Sequence, residues 1–415
     1  MIKILITAYD INPYKGSEAS TGWNFTIQVT RENKVVAITR KNNKQNIEKY
    51  IKENNISTEN LEFKYYDLPY WMRFWKKGSR GSSLYFYLWQ MFMPIFILKN
   101  KLKFDIAHNV NFHADAFPTF LWLLRKPLIW GPINHNELIP KQYFLSKKEA
   151  YKDSLKWIIK NINWKIDPFI FLSRKLSDIV IGGNSSVKKR LNIPEKRFYS
   201  LSQVASNNVE ENIKNFYNEN FTILLVGRFI TIKSFDLSLK SFEKFYNSLS
   251  DKNQSKVFLK IIGDGPLKNY YKSIIKSFNS IKNIEFCGWI EKSMMDNYYK
   301  TSSVFFFPSH EGAGMVIAES LSHGLPIVCF DNYGPGELTN EKCAFKIPYS
   351  TYEKSVDDFA QKLRLLCENK DLQKSMSLEA RKLFEEKYTW DAKGLFLQQI
   401  YSNLSKKYNL GDSNE

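Results

Sequence analysis

Short apolar, β-branched runs alternate with amphipathic stretches along the whole chain, the pattern of a doubly wound α/β protein. In the first half, the runs at 3–7, 35–39, 61–65, 106–109, 128–130 and 179–182 predict strands. In the second half the corresponding runs are 222–226, 257–262, 284–287, 304–307 and 327–330. Two such sets predict two parallel sheets. Their junction is expected near residues 200–219, where polar residues and asparagines crowd between strand-like runs. The region from about Val356 to Lys406 reads as helices, the last of them starting at Trp390 and returning to brace the first domain. The expected domains are therefore 1–205, 206–388 and a C-terminal helix with its tail, 389–415.

The most apolar stretch runs from Leu84 to Leu98. It contains Pro94 and falls short of the ~20 residues needed to cross a bilayer. Two readings stay open: a core helix, or a helix lying on a membrane surface. The second draws on the flanks, where Arg73, Lys76, Lys77 and Arg80 precede, Lys99, Lys101 and Lys103 follow, and Trp71 and Trp75 stand among them.

Composition changes this picture little. The 415 residues suffice for two cores, and 43% hydrophobic with 25% charged residues is ordinary for a soluble globular protein. Cys287, Cys329, Cys343 and Cys367 stand far apart and read as reduced thiols in a cytoplasmic protein. The apolar run after Met1 is too short for a signal peptide and reads as a first strand. A net charge of +18 suits an anionic partner, either an anionic membrane or a phosphorylated substrate, or reflects a lysine- and asparagine-rich composition. Nucleic acid is not expected, since no binding motif accompanies the charge.

The chemistry concentrates around residues 303–330. A buried strand ends at Pro308, a loop follows, and an amphipathic helix stops at His323-Gly324, with Pro326 barring continuation. Gly312-Ala313-Gly314 thus falls at a strand-to-helix turn, at the carboxyl end of a sheet. Small residues there admit a phosphate to backbone N–H groups, and the helix dipole favours its charge. Glu311 precedes the helix and Glu319 lies inside it. A carboxylate accepts hydrogen bonds from vicinal hydroxyls, which suits a ribose or a hexose. The alternative is a capping acid and a surface residue, but Val316, Ile317, Ala318 and Leu321 set Glu319 at a buried boundary.

The spacing Glu311-x7-Glu319, followed by His323-Gly324-Leu325-Pro326-Ile327-Val328, resembles the donor site of retaining GT-B glycosyltransferases of family 4, the group 1 type. The resemblance implies two Rossmann-like domains facing across a cleft and transfer of a sugar from a nucleotide donor. It places Glu311 and the segment Gly312, Ala313, Gly314, Met315 and Val316 on the donor sugar, and Glu319 on the ribose. Ala313 stands where an aromatic residue is usual.

Val226-Gly227-Arg228-Phe229 with Lys233 resembles the family's Gly-Arg-x4-Lys element, and Ser234 replaces a common glycine. Such an arginine and lysine together neutralise a diphosphate leaving group. Gly263-Asp264-Gly265-Pro266 resembles the loop lining the nucleotide, and Phe286-Cys287-Gly288-Trp289-Ile290 the segment facing the base, with Ile290 as the contact.

In the first half, Gly16 and Ser17 resemble the loop beneath the diphosphate. Asp105-Ile106-Ala107-His108, with Phe112-His113-Ala114, resembles the strand end that presents a histidine to the donor sugar; His113 takes that role and His108 competes for it. Trp130-Gly131-Pro132-Ile133 matches a recurring segment, but Asn134-His135-Asn136 stands where glycines are usual and where acceptors often bind.

The expected catalytic group is Glu311, Arg228, Lys233 and His113. No Asp-x-Asp occurs in the chain, so neither metal nor further cofactor is expected beyond the donor substrate. The resemblance implies transfer of a hexose with retention; a UDP-linked hexose or N-acetylhexosamine is the expected donor in preference to a GDP-sugar. The expected acceptor is a glycan or lipid-linked hydroxyl of a bacterial surface polysaccharide, reached by a cytoplasmic enzyme peripheral to the inner face of the membrane. The rivals are another GT-B chemistry on a soluble acceptor, such as sugar-phosphate synthesis or nucleotide-sugar epimerisation, and a non-catalytic binding subunit.

Overall fold

Eleven of the strands lie within a residue or three of the apolar runs named above, and all are parallel. In the computed structural model, which describes residues 1–78, 80–110, 114–209 and 219–410, the first sheet has seven strands. These are β1 (Lys3–Thr7), β2 (Lys34–Thr39), β3 (Leu61–Tyr65), β4 (Ile106–Asn109), β5 (Leu128–Ile133), β6 (Ile179–Gly182) and β7 (Phe198–Ser200), in the order β3-β2-β1-β4-β5-β6-β7. The second sheet has six, in the order β10-β9-β8-β11-β12-β13. They are β8 (Phe221–Val226), β9 (Val257–Ile262), β10 (Ile284–Gly288), β11 (Val304–Phe307), β12 (Ile327–Phe330) and β13 (Ala344–Ile347). The order in which successive strands are added reverses between β1 and β4 in one sheet and between β8 and β11 in the other, while every pair stays parallel. In open α/β sheets, ligands bind beyond the carboxyl ends of strands at such a reversal.

The chain divides into two units. The first holds residues 1–135, 158–203 and the segment from Trp390; the second holds 136–157 and 204–389. The expected assignment of 136–157 to the first domain is corrected here. Ile139 and Tyr143 are buried in the core of the second unit, with Phe235, Phe330 and Phe359. The Tyr143 hydroxyl donates to the Ser350 carbonyl at 3.0 Å and accepts from the Ser350 N–H at 3.1 Å. An apolar anchor with a satisfied hydroxyl outweighs proximity in sequence.

The helix Ser82–Lys99 is a core helix for most of its length. Tyr85, Phe86, Trp89, Met93 and Ile97 are buried against Leu5, Val36 and Ile38 of the first sheet, while Leu84, Ile95 and Leu98 remain exposed. Among the described residues, no helix is long and apolar enough to cross a membrane.

The last helix, Trp390–Tyr408, packs on the helix Ser17–Thr30. A side chain at Gly394 would place its Cβ 2.5 Å from Gln28 Oε1, so glycine permits the close crossing. Asp391 pairs with Arg31 at 2.9 Å, and Asn33 donates to Gln398 at 2.8 Å.

Candidate functional site

The reversal in the second sheet collects the charged residues that the sequence singles out. The loop after β8 carries Arg228 and Lys233; the loop after β11 carries Glu311 and leads into the helix Met315–Ser322. Lys233 Nζ lies 2.6 Å from Glu311 Oε1 and 4.6 Å from the centre of the Phe307 ring, so a carboxylate and an aromatic face hold the ammonium. Burial pushes the Glu311 carboxyl up, and the Lys233 charge opposes that shift.

The two loops are stitched together at His310. Its N–H donates to the Ile232 carbonyl at 2.9 Å, its Nε2 lies 2.8 Å from Ser234 Oγ, and its Nδ1 lies 2.9 Å from the Tyr349 hydroxyl. Ser234 sits at φ +47°, which explains why glycine suits the position and what serine adds: a hydroxyl that reaches His310. Gly334 matters by closeness, because a Cβ there would lie 1.8 Å from the Glu311 carbonyl oxygen.

His310 is buried, and burial lowers its pKa to about 3. In the first unit, burial likewise lowers His108 to about 4, its ring lying 2.6 Å from the Tyr401 hydroxyl and 2.7 Å from the Gly131 carbonyl. Both are neutral when folded and take up a proton near pH 6.5 when unfolded. The unfolded state therefore binds more protons below that value, and stability falls as pH drops from about 6.5 towards 4, by about 1.4 kcal/mol per pH unit for each histidine. Urea midpoints at pH 7, 6 and 5 should decline along that slope. A midpoint unchanged down to pH 5 would contradict neutral, buried rings.

Beside the Lys233–Glu311 pair opens a cavity of about 560 Å³. Arg228 and Glu319 line it together with Gly227, Gly263 and Asp264, and Trp289, Ile290, Lys292 and Met295 complete the wall. Arg228 is exposed and makes no ion pair among the described residues. Glu319 stands one turn inside its helix, where Oε2 accepts from the buried Tyr299 hydroxyl at 2.9 Å, leaving its other oxygen for a ligand.

Gly263 has φ +140°, and a Cβ there would lie 1.9 Å from the Gly227 carbonyl oxygen, so the ends of β8 and β9 meet only over glycine. Asp264 is engaged locally, accepting from the Gly265 N–H at 2.7 Å and from Lys268 Nζ at 2.7 Å.

The turn Gly312–Gly314 is already engaged at its first amide. The Gly312 N–H already donates to Asn136 Oδ1 at 3.1 Å. A Cβ at Gly314 would lie 2.8 Å from Glu311 Oε1, so its smallness makes room for that carboxylate. Ala313, Met315 and Val316 are part-buried around the same turn.

Asn136 is a residue that sequence reasoning set on the acceptor side; it belongs to the second unit and touches the turn Gly312–Gly314. Its neighbour His135 instead pairs with the buried Asp115 at 3.0 Å in the first unit. The rival role for His108 is also corrected, because both its ring nitrogens are committed inside the core. His113 lies outside the described residues. Gly16, exposed, caps the helix Ser17–Thr30 after β1 in the first unit, and the side chain of Ser17 lies outside the described residues.

The sequence reading missed His310, Lys292, Met295 and Tyr299, and gave Asn136 a different role. Only His310 carried a signal, standing beside Glu311 at the head of the loop. Trp289, 72% exposed at the cavity wall, stood inside a quoted segment without being chosen.

Residues 206–383 match the family model described as glycosyl transferases group 1. An uncharacterized glycosyltransferase of Haemophilus influenzae is 30% identical over 171 residues, 40% of this chain and 45% of that protein. The aligned stretch thus spans about half the length of that curated relative. Of solved structures, Staphylococcus aureus TarM, bound to fondaparinux, alpha-GlcNAc-glycerol and UDP, superposes with a TM-score of 0.61 at 14% identity, covering 97% of this chain and 99% of that one. The pneumococcal O-GlcNAc transferase GtfA, with UDP and GlcNAc, gives 0.59 at 12% identity, covering 98% and 99%. At such identities the likeness is one of fold, over nearly the whole length of both chains.

Proposed function

We propose that this chain, whose residues 206–383 belong to the group 1 glycosyl transferases and which takes the GT-B fold, moves a hexose or N-acetylhexosamine from a nucleotide sugar to an acceptor hydroxyl with retention. The observation that carries the reading is the cavity wall on which Arg228 and Glu319 meet beside the Lys233–Glu311 pair. Cationic groups and a carboxylate with a spare oxygen are what a sugar diphosphate and a ribose require.

In this reading Glu319 accepts from the ribose hydroxyls, Arg228 and Lys233 take the charge of the diphosphate, and Glu311 faces the sugar. The bond from the anomeric carbon to the diphosphate oxygen breaks, and a bond to the acceptor oxygen forms on the same face. The acceptor proton passes to the departing phosphate oxygen, so no protein base is invoked. The cationic side chains supply the charge compensation that a divalent metal gives elsewhere, and the reaction is proposed to run without one.

A UDP donor is preferred over GDP, in keeping with the UDP named in both solved neighbours. The acceptor is proposed to be a lipid-linked glycan of a bacterial surface polysaccharide, reached by peripheral association with the inner face of the membrane.

A thermal-shift screen against UDP, GDP and their sugars tests the donor, since a ligand selective for the folded state raises its melting temperature. UDP compounds should raise it most; no response to any nucleotide would count against the enzyme reading. Glu319→Ala should weaken UDP binding about tenfold to a hundredfold through lost charge-assisted hydrogen bonds, by calorimetric titration. Unchanged affinity would remove Glu319 from the site.

A further inference from the structure

The helix Lys147–Ile166 leaves an apolar stripe uncovered. Tyr151, Leu155, Ile158, Ile159, Ile162 and Ile166 are all exposed, from 43% at Leu155 to 72% at Ile166. At about 100° per residue their spacing gathers them into a stripe about 100° wide. Lys152 and Lys156 border it on one side, Lys147 and Lys165 on the other, and Lys148 stands in line with it at the N-terminal end. The two acids of the helix, Glu149 and Asp153, fall away from the stripe, and Glu149 accepts from Thr231 at 3.2 Å. The inner face is committed to protein: Lys160 pairs with the buried Asp115 at 3.2 Å, and Asn161 accepts from Arg190 at 2.9 Å.

We infer that the outer face of this helix docks on an anionic lipid bilayer, lying in the interface with its isoleucines among the acyl chains and its lysines among the phosphates. A helix about 30 Å long with one apolar face and a cationic border has the form of an interfacial helix. Charge decides the occupant. A second copy of this chain would set lysine against lysine, whereas an anionic bilayer takes both the apolar stripe and its border, and the whole chain carries +18. This surface is distinct from the helix Ser82–Lys99, whose bulky residues are mostly spent on the core. It deepens the proposed membrane-side acceptor but does not depend on it, because the lipids in the test are no acceptor and no donor is present.

The test is flotation of the full-length chain with phosphatidylcholine vesicles, with and without phosphatidylglycerol, at low and high salt. Binding is expected only with phosphatidylglycerol and should weaken with salt. The double change Ile159→Glu, Ile162→Glu should lower it at least tenfold. Lys152→Gln with Lys156→Gln should lower it about 30-fold at low salt. All four side chains are exposed, so melting temperature and the response to UDP should match the unaltered chain. Leu98→Glu, on the other helix, should leave flotation unchanged.

No flotation at low salt, or flotation indifferent to both double changes, overturns the inference. So does a concentration-dependent dimer, seen by light scattering without lipid and abolished by the isoleucine changes, which would give the stripe to a second copy.

Discussion

Lys233→Ala should lower kcat/KM for the proposed sugar transfer roughly 10²–10³-fold, the usual cost of removing one preorganised donor to developing charge. The size follows from how little this lysine must reorganise. Glu311 holds its Nζ at 2.6 Å and the Phe307 ring lies beneath it, so the charge is in place before the proposed diphosphate arrives. The same substitution strips Glu311 of its counter-charge. Burial already pushes that carboxyl up, and without Lys233 it becomes protonated more readily, turning an acceptor into a donor at the proposed sugar contact. Activity of the variant should therefore recover in part as pH rises, while the unaltered enzyme lacks that dependence. Initial rates against donor concentration from pH 6 to pH 9 check both points. A loss smaller than threefold would remove Lys233 from the chemistry.

Gly263→Ala is the second large effect, and it acts on stability first. The new methyl would stand 1.9 Å from the Gly227 carbonyl oxygen, and the backbone there has φ +140°. Backbone oxygen cannot swing aside as a side chain can, so β8 and β9 must part at their carboxyl ends. Strain and overpacking together cost about 3 kcal/mol. For a unit of this size that corresponds to a fall in melting temperature of about 6–12 °C. Because the Gly227 carbonyl adjoins Arg228, nucleotide affinity should fall with it. Calorimetry at matched pH reads the first effect and UDP titration below the transition reads the second. A melting temperature within two degrees of the parent, at about 1 kcal/mol or less, would mean that the strands separate freely.

Much of the fold is legible because strands inside a parallel sheet are covered on both faces and read as unbroken apolar runs, as in Val304–Phe307. The two unpredicted strands, Phe198–Ser200 and Ala344–Ile347, lie at sheet edges, are three and four residues long and keep part-exposed side chains. Residues 136–157 defeat a linear reading for another reason. Tyr143 earns its place through Ser350, more than 200 positions away, and no local pattern records such a partner.

At the site, the glutamates, arginine and lysine were legible through spacing shared with a family. Their pairing was not: Lys233 and Glu311 stand 78 positions apart. Likewise Ser234 reads as a departure from glycine until His310 is seen opposite its hydroxyl.

The last helix carries a consequence for how the molecule is made. The first unit takes its final element from the segment beginning at Trp390, whereas the second is complete at Thr389. On the ribosome, the later-encoded unit can close first, while the earlier one waits with the apolar surface around Phe25 uncovered and His108 without Tyr401. The half synthesised first is thus the half finished last, and it is the one for which an attending chaperone would matter most.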